Sequence, residues 1–529
     1  MSKVTLLRNG RFYISEHTTN LQTLAVENGT ITAIGSPEEM MERFPHPINS
    51  IDLQGQTVWP GMTDSHLHLA LLAEYLSAID CETNSLDECI QRVAKASCER
   101  NDRSWVIGYG WNHNAWNPRE YGTASQLDQV SASHPVVLYA KSLHASWANS
   151  VALRLAKVDR TTPDPIGGQI MRDAQGTPTG ILLENAMALV DQVVPEHEPA
   201  ELIPMLKRAQ KRLLSLGITC VHDFDRMPCY LALQAMEKSG ELILRVRKNL
   251  PGDKLEEIAA AEWRSNSGSE HLFTGSLKYF ADGALGPQSA AMLKPYEGSD
   301  SRGMLLMNAE DVFQMGSQAA AAGWPMAIHA IGDAANRAVL DGYKKLRAYE
   351  AAQGLPHLPH RIEHVQIIDP QDQSRLRSLD IIASMQPIHA TSDMYTADRY
   401  WGSRSANAYA FHSLSQQGVL LIFGSDAPVE SANPFRGLHA AVTRQRYTGE
   451  PGPEGWYPEE RLSLKRALAA YTINPAQSCG RGNSLGRIAI GYKADLIVLP
   501  CDPFKQDPQT LWDIQPNMTL VDGKNLYQK

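Results

Sequence analysis

The chain lacks the features by which membrane, secreted and nucleic-acid-binding proteins are usually recognised. No apolar run approaches the roughly 20 residues that a membrane-spanning helix needs. No cluster of basic residues is present, and the formal net charge of −9 argues against binding to a phosphate backbone. Residues 1–8 lack the apolar core of a signal peptide. We therefore expect a cytoplasmic protein that binds neither nucleic acid nor membrane.

Cysteine is scarce and is not arranged for cross-linking or for a zinc ribbon. The seven cysteines are scattered at positions 81, 89, 98, 220, 229, 479 and 501, and none of them forms a Cys-x-x-Cys pair. An odd, scattered set is typical of the reduced thiols of a cytoplasmic protein. The hydrophobic fraction of 43% and the charged fraction of 20% are typical of a globular chain, and 529 residues exceed one ordinary domain.

The most informative stretch of the sequence is residues 60–69, which reads as a turn followed by a buried strand carrying His-x-His. Side chains on a strand alternate between its faces, so His66 and His68 point the same way, roughly 6–7 Å apart. Two imidazoles at this separation can converge on one metal ion. Taken alone, such a pair is more often two hydrogen-bonded histidines in a core than a metal site.

From residue 60 onward, apolar strands alternate with helical segments. Beginning with the strand that holds His66 and His68, eight strands are predicted, the later seven at 218–223, 242–246, 276–280, 326–329, 361–365, 381–385 and 419–426. Eight βα units predict an α/β fold with a closed parallel (β/α)8 barrel, whose working residues lie at the carboxyl ends of the strands. We assign residues 59–74 and 201–479 to this TIM-like barrel.

The two ends of the chain show β patterning instead. The run 23–34 contains a hairpin signal around Asn28-Gly29, and residues 485–499 return to hairpin patterning near the carboxyl end. We predict that residues 1–58 and 480–529 pair into one composite β-sandwich with a structural role.

About 150 residues separate the first two barrel strands, which is far more than a βα loop requires. Residues 75–200 contain a predicted helix near 85–100, strands at 105–108 and 136–139, and a glycine-rich segment at 166–180. We predict an inserted α/β cap subdomain at the mouth of the barrel.

Unusual polar residues fall at the predicted strand ends. They are His66, His68, Lys278, His329, His364 and Asp426. Each has a structural alternative: a histidine can be a satisfied hydrogen-bonding group, and Asp426 can cap the next helix. A lysine inside an apolar strand, by contrast, is rarely buried without a partner. Together, on separate strands and at one rim, these residues favour a metal site.

Several separate motifs then resemble the amidohydrolase superfamily, most closely its YtcJ-like branch, amidohydrolase family 3. They are Pro-Gly-Met-Thr-Asp-Ser-His-Leu-His at 60–68, Leu-Lys-Tyr-Phe-Ala-Asp-Gly-Ala-Leu-Gly at 277–286, His-Ala-Ile-Gly-Asp at 329–333, Arg-Ile-Glu-His at 361–364, Gly-Ser-Asp-Ala-Pro-Val at 424–429 and Leu-Gly-Arg-Ile followed by Gly-Tyr-Lys-Ala-Asp-Leu at 485–496. The resemblance covers nearly the whole chain and implies a (β/α)8 barrel with a composite β-sandwich.

The resemblance also implies roles for the strand-end residues. His66, His68 and Asp426 would bind one Zn²⁺ ion, His329 and His364 would bind a second, and a carboxylated Lys278 would bridge them. An ammonium has no free lone pair, whereas a carbamate is a bidentate anion suited to two ions about 3.5–4 Å apart. If Lys278 is not carboxylated, a site that binds one metal ion is the alternative.

The expected activity is metal-dependent hydrolysis of a non-peptide, amide-type C–N bond by metal-activated hydroxide. Asp426 would act first as the general base and then as the general acid. A deaminase, an ester or lactone hydrolase or an isomerase on the same site is an alternative, because a fold does not fix a reaction. A non-catalytic family member is another alternative, although every expected ligand position is filled.

The substrate, a small molecule, is not legible from the sequence. The candidate contacts are Trp111 and His144 in the insertion, Asp282 in the loop after Lys278, and His389 after the seventh strand. Packing of Trp147 within the insertion and local hydrogen bonding of His144 are an equally good explanation of the segment 143–150. A homodimer is expected only from the family resemblance.

Overall fold

The computed structural model describes residues 4–14, 20–47, 49–99, 104–141, 145–165 and 167–529. The strands in these residues are β1 (Val4–Phe12), β2 (Gln22–Glu27), β3 (Thr30–Gly35), β4 (Asn49–Asp52), β5 (Thr57–Pro60), β6 (Met62–Leu67), β7 (Ile79–Asp80), β8 (Val106–Trp111), β9 (Val136–Ala140), β10 (Ala145–Ala148), β11 (Gly168–Arg172), β12 (Pro178–Glu184), β13 (Ile218–Asp223), β14 (Arg245–Pro251), β15 (Leu272–Phe280), β16 (Met326–Ala330), β17 (Arg361–His364), β18 (Ile382–Met385), β19 (Leu421–Phe423), β20 (Leu496–Leu499), β21 (Met518–Val521) and β22 (Lys524–Gln528).

The α-helices alternate with these strands over most of the chain. They are α1 (Pro37–Arg43), α2 (Leu69–Tyr75), α3 (Leu86–Cys98), α4 (Ala124–Val130), α5 (Ser150–Leu155), α6 (Ala188–Asp191), α7 (Pro199–Ser215), α8 (Met227–Lys238), α9 (Leu255–Ala260), α10 (Ala309–Ala321), α11 (Asp333–Gln353), α12 (Pro370–Ser378), α13 (Pro387–Ser392), α14 (Met394–Trp401), α15 (Phe411–Gln416), α16 (Pro434–Thr443), α17 (Leu464–Tyr471) and α18 (Ile473–Ser478). None of the described helices is long and apolar enough to cross a membrane.

The chain divides into two compact units. The first combines Met1–Leu72 with Leu206–Lys529, and the second is Ala73–Met205. The sequence predicts a three-part division, with the terminal strands as a domain separate from the barrel, and that division stays a prediction.

The first unit contains an eight-stranded parallel sheet in the order β6-β13-β14-β15-β16-β17-β18-β19. Its two end strands approach each other just beyond β19, where the Asp426 N–H donates to His66 O at 2.7 Å and the His68 N–H donates to Ala427 O at 2.9 Å. These bonds nearly close the sheet into a barrel. The predicted (β/α)8 fold is confirmed.

The sequence predicts the third barrel strand at 242–246, but in the structure it is β14, which runs from Arg245 to Pro251. The amide groups of Ile243 and Leu244 donate to the Gln210 side chain, so they are not available to a neighbouring strand. The strand instead continues through Lys248, whose buried ammonium is paired with a carboxylate. Charged residues inside a strand hid its true extent from the sequence pattern.

The terminal segments share a second sheet, in the order β22-β21-β20-β5-β1-β2-β3, with β4 paired to β1. The β2–β3 hairpin forms around Asn28-Gly29 as predicted. The predicted hairpin at 485–499 is wrong in part, because only Leu496–Leu499 is a strand. Before it, Gly491 and Tyr492 exchange backbone hydrogen bonds with Ile31, so this segment is tied to the sheet as a loop.

The second unit is an α/β insertion built on a sheet in the order β11-β12-β10-β9-β8-β7. Strands β7, β8 and β9 are parallel, and the other pairings are antiparallel. Trp111, Trp116 and Trp147 lie in its hydrophobic core. Each of the seven cysteines of the chain is a free thiol.

Candidate metal centre

The barrel brings the candidate ligands together at the carboxyl ends of its strands. His66 lies near the end of β6, Lys278 in β15, His329 in β16 and His364 at the end of β17, while Asp426 follows β19 by three residues. The centroid of the His364 imidazole ring lies 4.9 Å from that of His66 and 4.6 Å from that of His329. The five strands β6, β15, β16, β17 and β19 therefore deliver one contiguous cluster.

Three donor atoms converge within this cluster. The Nε2 atoms of His66 and His68 lie 3.5 and 3.4 Å from the same oxygen, Asp426 Oδ1. Ligands placed tetrahedrally about 2.1 Å from a Zn²⁺ ion are about 3.4 Å apart. The spacing of His66, His68 and Asp426 therefore fits a divalent ion.

The side chain of His66 is held in the tautomer that a metal ligand needs. Its Nδ1 lies 2.6 Å from Glu363 Oε2, and its ring stacks on Phe224. Burial, together with the charge of Lys278, lowers the pKa of His66 to about 4, although Glu363 opposes the shift. The neutral imidazole then donates Nδ1–H to Glu363 and keeps a lone pair on Nε2.

His68 is the more accessible of the pair, with 26% of its side chain exposed. Burial by itself would lower the pKa of His68, but the carboxylates of Asp225 and Asp426 raise it to about 10. In turn, burial would raise the pKa of Asp426, but the histidines around it, His68 foremost, hold that pKa well below its usual range. Asp426 is therefore ionised.

His329 and His364 form a second group of donors. His329 Nε2 lies 3.0 Å from Gly283 O, and His364 Nδ1 lies 2.9 Å from Gln386 Oε1. Burial, foremost, and the charge of Lys278 lower the pKa of His329 to about 3, so the ring is neutral. Because each ring donates its proton to an oxygen, the lone pairs remain on His329 Nδ1 and His364 Nε2.

Lys278 is buried without an anionic partner. Its Nζ lies 4.9 Å from the Phe224 ring centroid and 4.7 Å from that of Phe280, and it makes no hydrogen bond or ion pair with any residue that the structure describes. Burial lowers the pKa of Lys278 to about 8, even though Glu363 and Asp426 partly oppose the shift. Such an amine is readily available in its neutral form.

Two of the ligand positions have unusual backbone conformations. His364 has φ +77° and Asp426 has φ +60°, in the left-handed region that side-chain-bearing residues seldom adopt. At His364 this breaks the alternation of β17, so that Glu363 and His364 both reach the cluster. Asp64 supports the turn at Asp426, because its buried carboxylate accepts hydrogen bonds from Ser425 N, Ser425 Oγ and the backbone N–H of His66.

The predicted substrate contacts have mixed surroundings. His389 is buried in α13, and its Nδ1 lies 3.4 Å from Gln366 Nε2. Its Nε2 lies 3.9 Å from Asp426 Oδ2 and has no hydrogen-bond partner among the described residues. The side chain of Asp282 is fully buried and accepts hydrogen bonds from the N–H groups of Ala291, Ile331 and Gly332. Asp282 therefore holds the loops at the rim, and direct contact with substrate by either residue stays a prediction.

The two candidate substrate contacts in the insertion are Trp111 and His144. Trp111 is 1% exposed, and its Nε1 donates to Leu138 O at 2.8 Å, so most of its ring packs the core of that unit. One edge lines a cavity of about 270 Å³ together with His113 and Tyr121. His144 lies outside the described residues. A role for either residue in substrate binding stays a prediction.

Sequence analysis missed the buried ion pair of Arg361 and Glu363. Arg361 donates through Nε and NH2 to the two oxygens of Glu363, and its NH2 also reaches Ser65 O. The signal was present in the motif at 361–364, where Arg361 and Glu363 carry opposite charges two residues apart in a predicted barrel strand. Such residues share one face and need each other there.

A sequence profile of the amidohydrolase family matches residues 49–527. The putative amidohydrolase YtcJ of Bacillus subtilis (strain 168) is 32% identical to this chain, in an alignment covering 96% of each protein. The N-substituted formamide deformylase of Arthrobacter pascens is 27% identical, covering 96% of this chain and 95% of that protein. The crystal structure of an uncharacterized metal-dependent hydrolase from Pyrococcus furiosus superposes with a TM-score of 0.78 at 28% identity, covering 95% of this chain and 100% of that one. The chain therefore belongs to the amidohydrolase family, in its YtcJ-like branch.

Proposed function

We propose that this metal-dependent hydrolase cleaves a non-peptide, amide-type C–N bond in a small molecule, using two Zn²⁺ ions bridged by a carboxylated Lys278. The observation that carries the proposal is the convergence of the Nε2 atoms of His66 and His68 on Asp426 Oδ1, at 3.5 and 3.4 Å. These three residues would hold one ion, and His329 and His364 would hold the other.

Carboxylation of Lys278 is supported by its surroundings. The amine lies between two aromatic rings at the strand end, and none of the described carboxylates is close enough to pair with it. In the reaction, the lone pair of the neutral Nζ attacks the carbon of CO2. An N–C bond forms, one C–O π bond breaks with its electron pair moving to oxygen, and one Nζ proton leaves to solvent. The product is a carbamate anion with two donor oxygens, which the ammonium cannot provide.

Divalent ions in such a site supply Lewis acidity that polarises a carbonyl and lowers the pKa of water. The chain supplies the proton transfer. Asp426 faces the histidine pair with Oδ1, while Oδ2 points toward His389 at 3.9 Å. We assign to Asp426 the removal of a proton from the attacking water and its delivery to the leaving nitrogen. His389 Nε2 would bind the substrate beside it.

The class of bond is suggested by a relative. The name of the Arthrobacter pascens enzyme describes deformylation of N-substituted formamides, and its alignment spans 96% of this chain. N-Substituted formamides are therefore the first substrates to test. A panel that adds esters, lactones and cyclic amidines separates amide hydrolysis from ester hydrolysis and deamination on the same site.

The test combines metal analysis, carbamate detection and this panel. We expect two ions per chain by elemental analysis, a carbamate carbon signal in the ¹³C NMR spectrum of protein incubated with ¹³C-bicarbonate, and hydrolysis of amides in preference to esters. Less than one ion per chain would overturn the metal site. One ion per chain without a carbamate signal would leave a site with one ion, and two ions without that signal would overturn the role of Lys278. Faster ester cleavage would reassign the bond.

A further inference from the structure

The two groups of metal donors are supported by different kinds of hydrogen-bond acceptor. Behind His66 stands the carboxylate of Glu363, with 2.6 Å between Oε2 and Nδ1. Behind His329 and His364 stand a backbone carbonyl and a side-chain amide, Gly283 O and Gln386 Oε1. The carboxylate of Asp282 also lies near His329, with 3.5 Å between Oδ1 and Nε2, but its oxygens accept hydrogen bonds from backbone N–H groups instead. One half of the centre therefore has an anionic hydrogen-bond acceptor, and the other half has neutral acceptors.

Glu363 is fixed in position from all sides. Its two oxygens receive hydrogen bonds from the Arg361 guanidinium, and both side chains are fully buried. Arg361 is anchored in turn by Ser65 O and Ser384 Oγ, each at 2.8 Å. Glu363 therefore cannot rotate away from His66, and its charge is compensated by Arg361, so its burial does not leave an isolated charge.

In the half that contains His66, one carboxylate faces both histidine rings. Among the described residues, Asp426 is the only carboxylate in this position. Asp426 Oδ1 lies 3.5 and 3.4 Å from the two Nε2 atoms. The carboxylate of Asp225 lies behind His68, with 3.8 Å between Oδ1 and Nδ1. Asp426 also approaches the second group, because donor atoms of His364, His389 and Asp426 lie within 4.8 Å of one another.

We propose that the two half-sites bind metal unequally: the half formed by His66, His68 and Asp426 binds its ion tightly, and Glu363 is the positioning residue that makes it so. A hydrogen bond to a carboxylate is stronger than one to a neutral oxygen, orients the ring and raises the basicity of the ligand nitrogen. Loss of such a supporting partner typically weakens metal binding about 10–100-fold. This inference rests on the proposed site for two metal ions.

The chain offers a matched control at the opposite end of β17. There, His360 Nε2 lies 2.8 Å from Glu350 Oε1, and Arg347 NH1 donates to Glu350 Oε2 at 2.8 Å. His360 is fully buried, like His66, and also accepts from the Met326 N–H at 3.0 Å. This second group of Arg, Glu and His has the same chemistry and does not face the metal centre.

The experiment is a titration of the chelator-treated full-length protein with Zn²⁺ against a chromophoric chelator, at fixed pH. For the native chain we expect two dissociation constants at least tenfold apart. Glu363→Gln should raise the lower constant 10–100-fold and leave the higher one within threefold. Glu350→Gln should leave both constants within threefold while lowering the melting temperature.

The reciprocal variant is Gln386→Glu, which places a carboxylate behind His364. Gln386 Nε2 has no hydrogen-bond partner among the described residues, so the exchange removes no bond there. We expect it to tighten the weaker ion at least tenfold, and this arm stands even if Glu363→Gln does not fold.

Equal affinities for both ions, or equal weakening by Glu363→Gln and Glu350→Gln, would overturn the inference. Neither result depends on turnover, so a loaded enzyme that fails to cleave amides would refute the proposed reaction and leave the unequal half-sites intact.

Discussion

Replacing Asp426 by Asn separates the two tasks assigned to this carboxylate. The amide keeps the shape and one oxygen, so it still offers a donor beside His66 and His68, whose Nε2 atoms lie 3.5 and 3.4 Å away. It cannot accept a proton at neutral pH. General acid–base catalysis contributes about 10²- to 10⁴-fold, so we expect kcat to fall by that factor, or about 2.7–5.5 kcal/mol in the barrier.

The assay is the hydrolysis of an N-substituted formamide by native and variant protein at equal metal content per chain, with each preparation analysed for bound Zn²⁺. Asp522→Asn, a carboxylate remote from the centre, serves as the control and should leave kcat within twofold. A variant Asp426→Asn that holds its metal and turns over within threefold of the native chain would refute the proton-transfer role. A loss of turnover that disappears when metal content is restored would reassign Asp426 as a ligand only.

Three further outcomes follow from the structure. Lys278→Ala should lose one of the two ions and reduce turnover more than about 100-fold. A short carboxylic acid, which supplies the missing oxygens, should partly restore turnover of the variant. The same acid should not raise turnover of the native chain. Arg245→Met removes the buried guanidinium that donates to Asp495 at 2.6 and 3.0 Å and also to Asp522. Asp522 keeps His271 at 2.9 Å, but the buried carboxylate of Asp495 loses its charged partner, which should cost about 3–5 kcal/mol in urea unfolding. A loss below about 1 kcal/mol would contradict the ion-pair assignment. Burial opposes the shift, but His271 and Arg245 hold the pKa of Asp522 well below its usual range, so its contribution to stability is present above about pH 4 and is lost as the pH falls. The stability gap between the native chain and Asp522→Asn, measured by urea unfolding across pH 3–7, should therefore shrink toward acid pH, and a constant gap would show that this carboxylate is not linked to folding.

The sequence by itself determined the architecture of the barrel and the identity of its strand-end residues. A βα rhythm is a local property, because apolar runs and helical periods are written in consecutive residues. Parallel strands in a barrel place their carboxyl ends at one rim, so His66, Lys278 and His364 could be assigned to one site without coordinates. The rhythm failed at β14, where the buried charges of Arg247 and Lys248 conceal the strand.

Only the tertiary structure decided how those residues are held. The bond between His66 and Glu363 joins positions 297 residues apart, and that between Asp64 and Ser425 joins positions 361 residues apart. The alternation of Arg361 and Glu363 indicates that they share a face, but nothing in the local sequence indicates that Glu363 reaches His66 or that Asp64 reaches Ser425. The left-handed backbone at His364, which turns two adjacent residues toward one cluster, is likewise absent from any alternating pattern. Ligand type is a property of the sequence, whereas the orientation, tautomer and charge of each ligand depend on contacts that folding creates between distant segments.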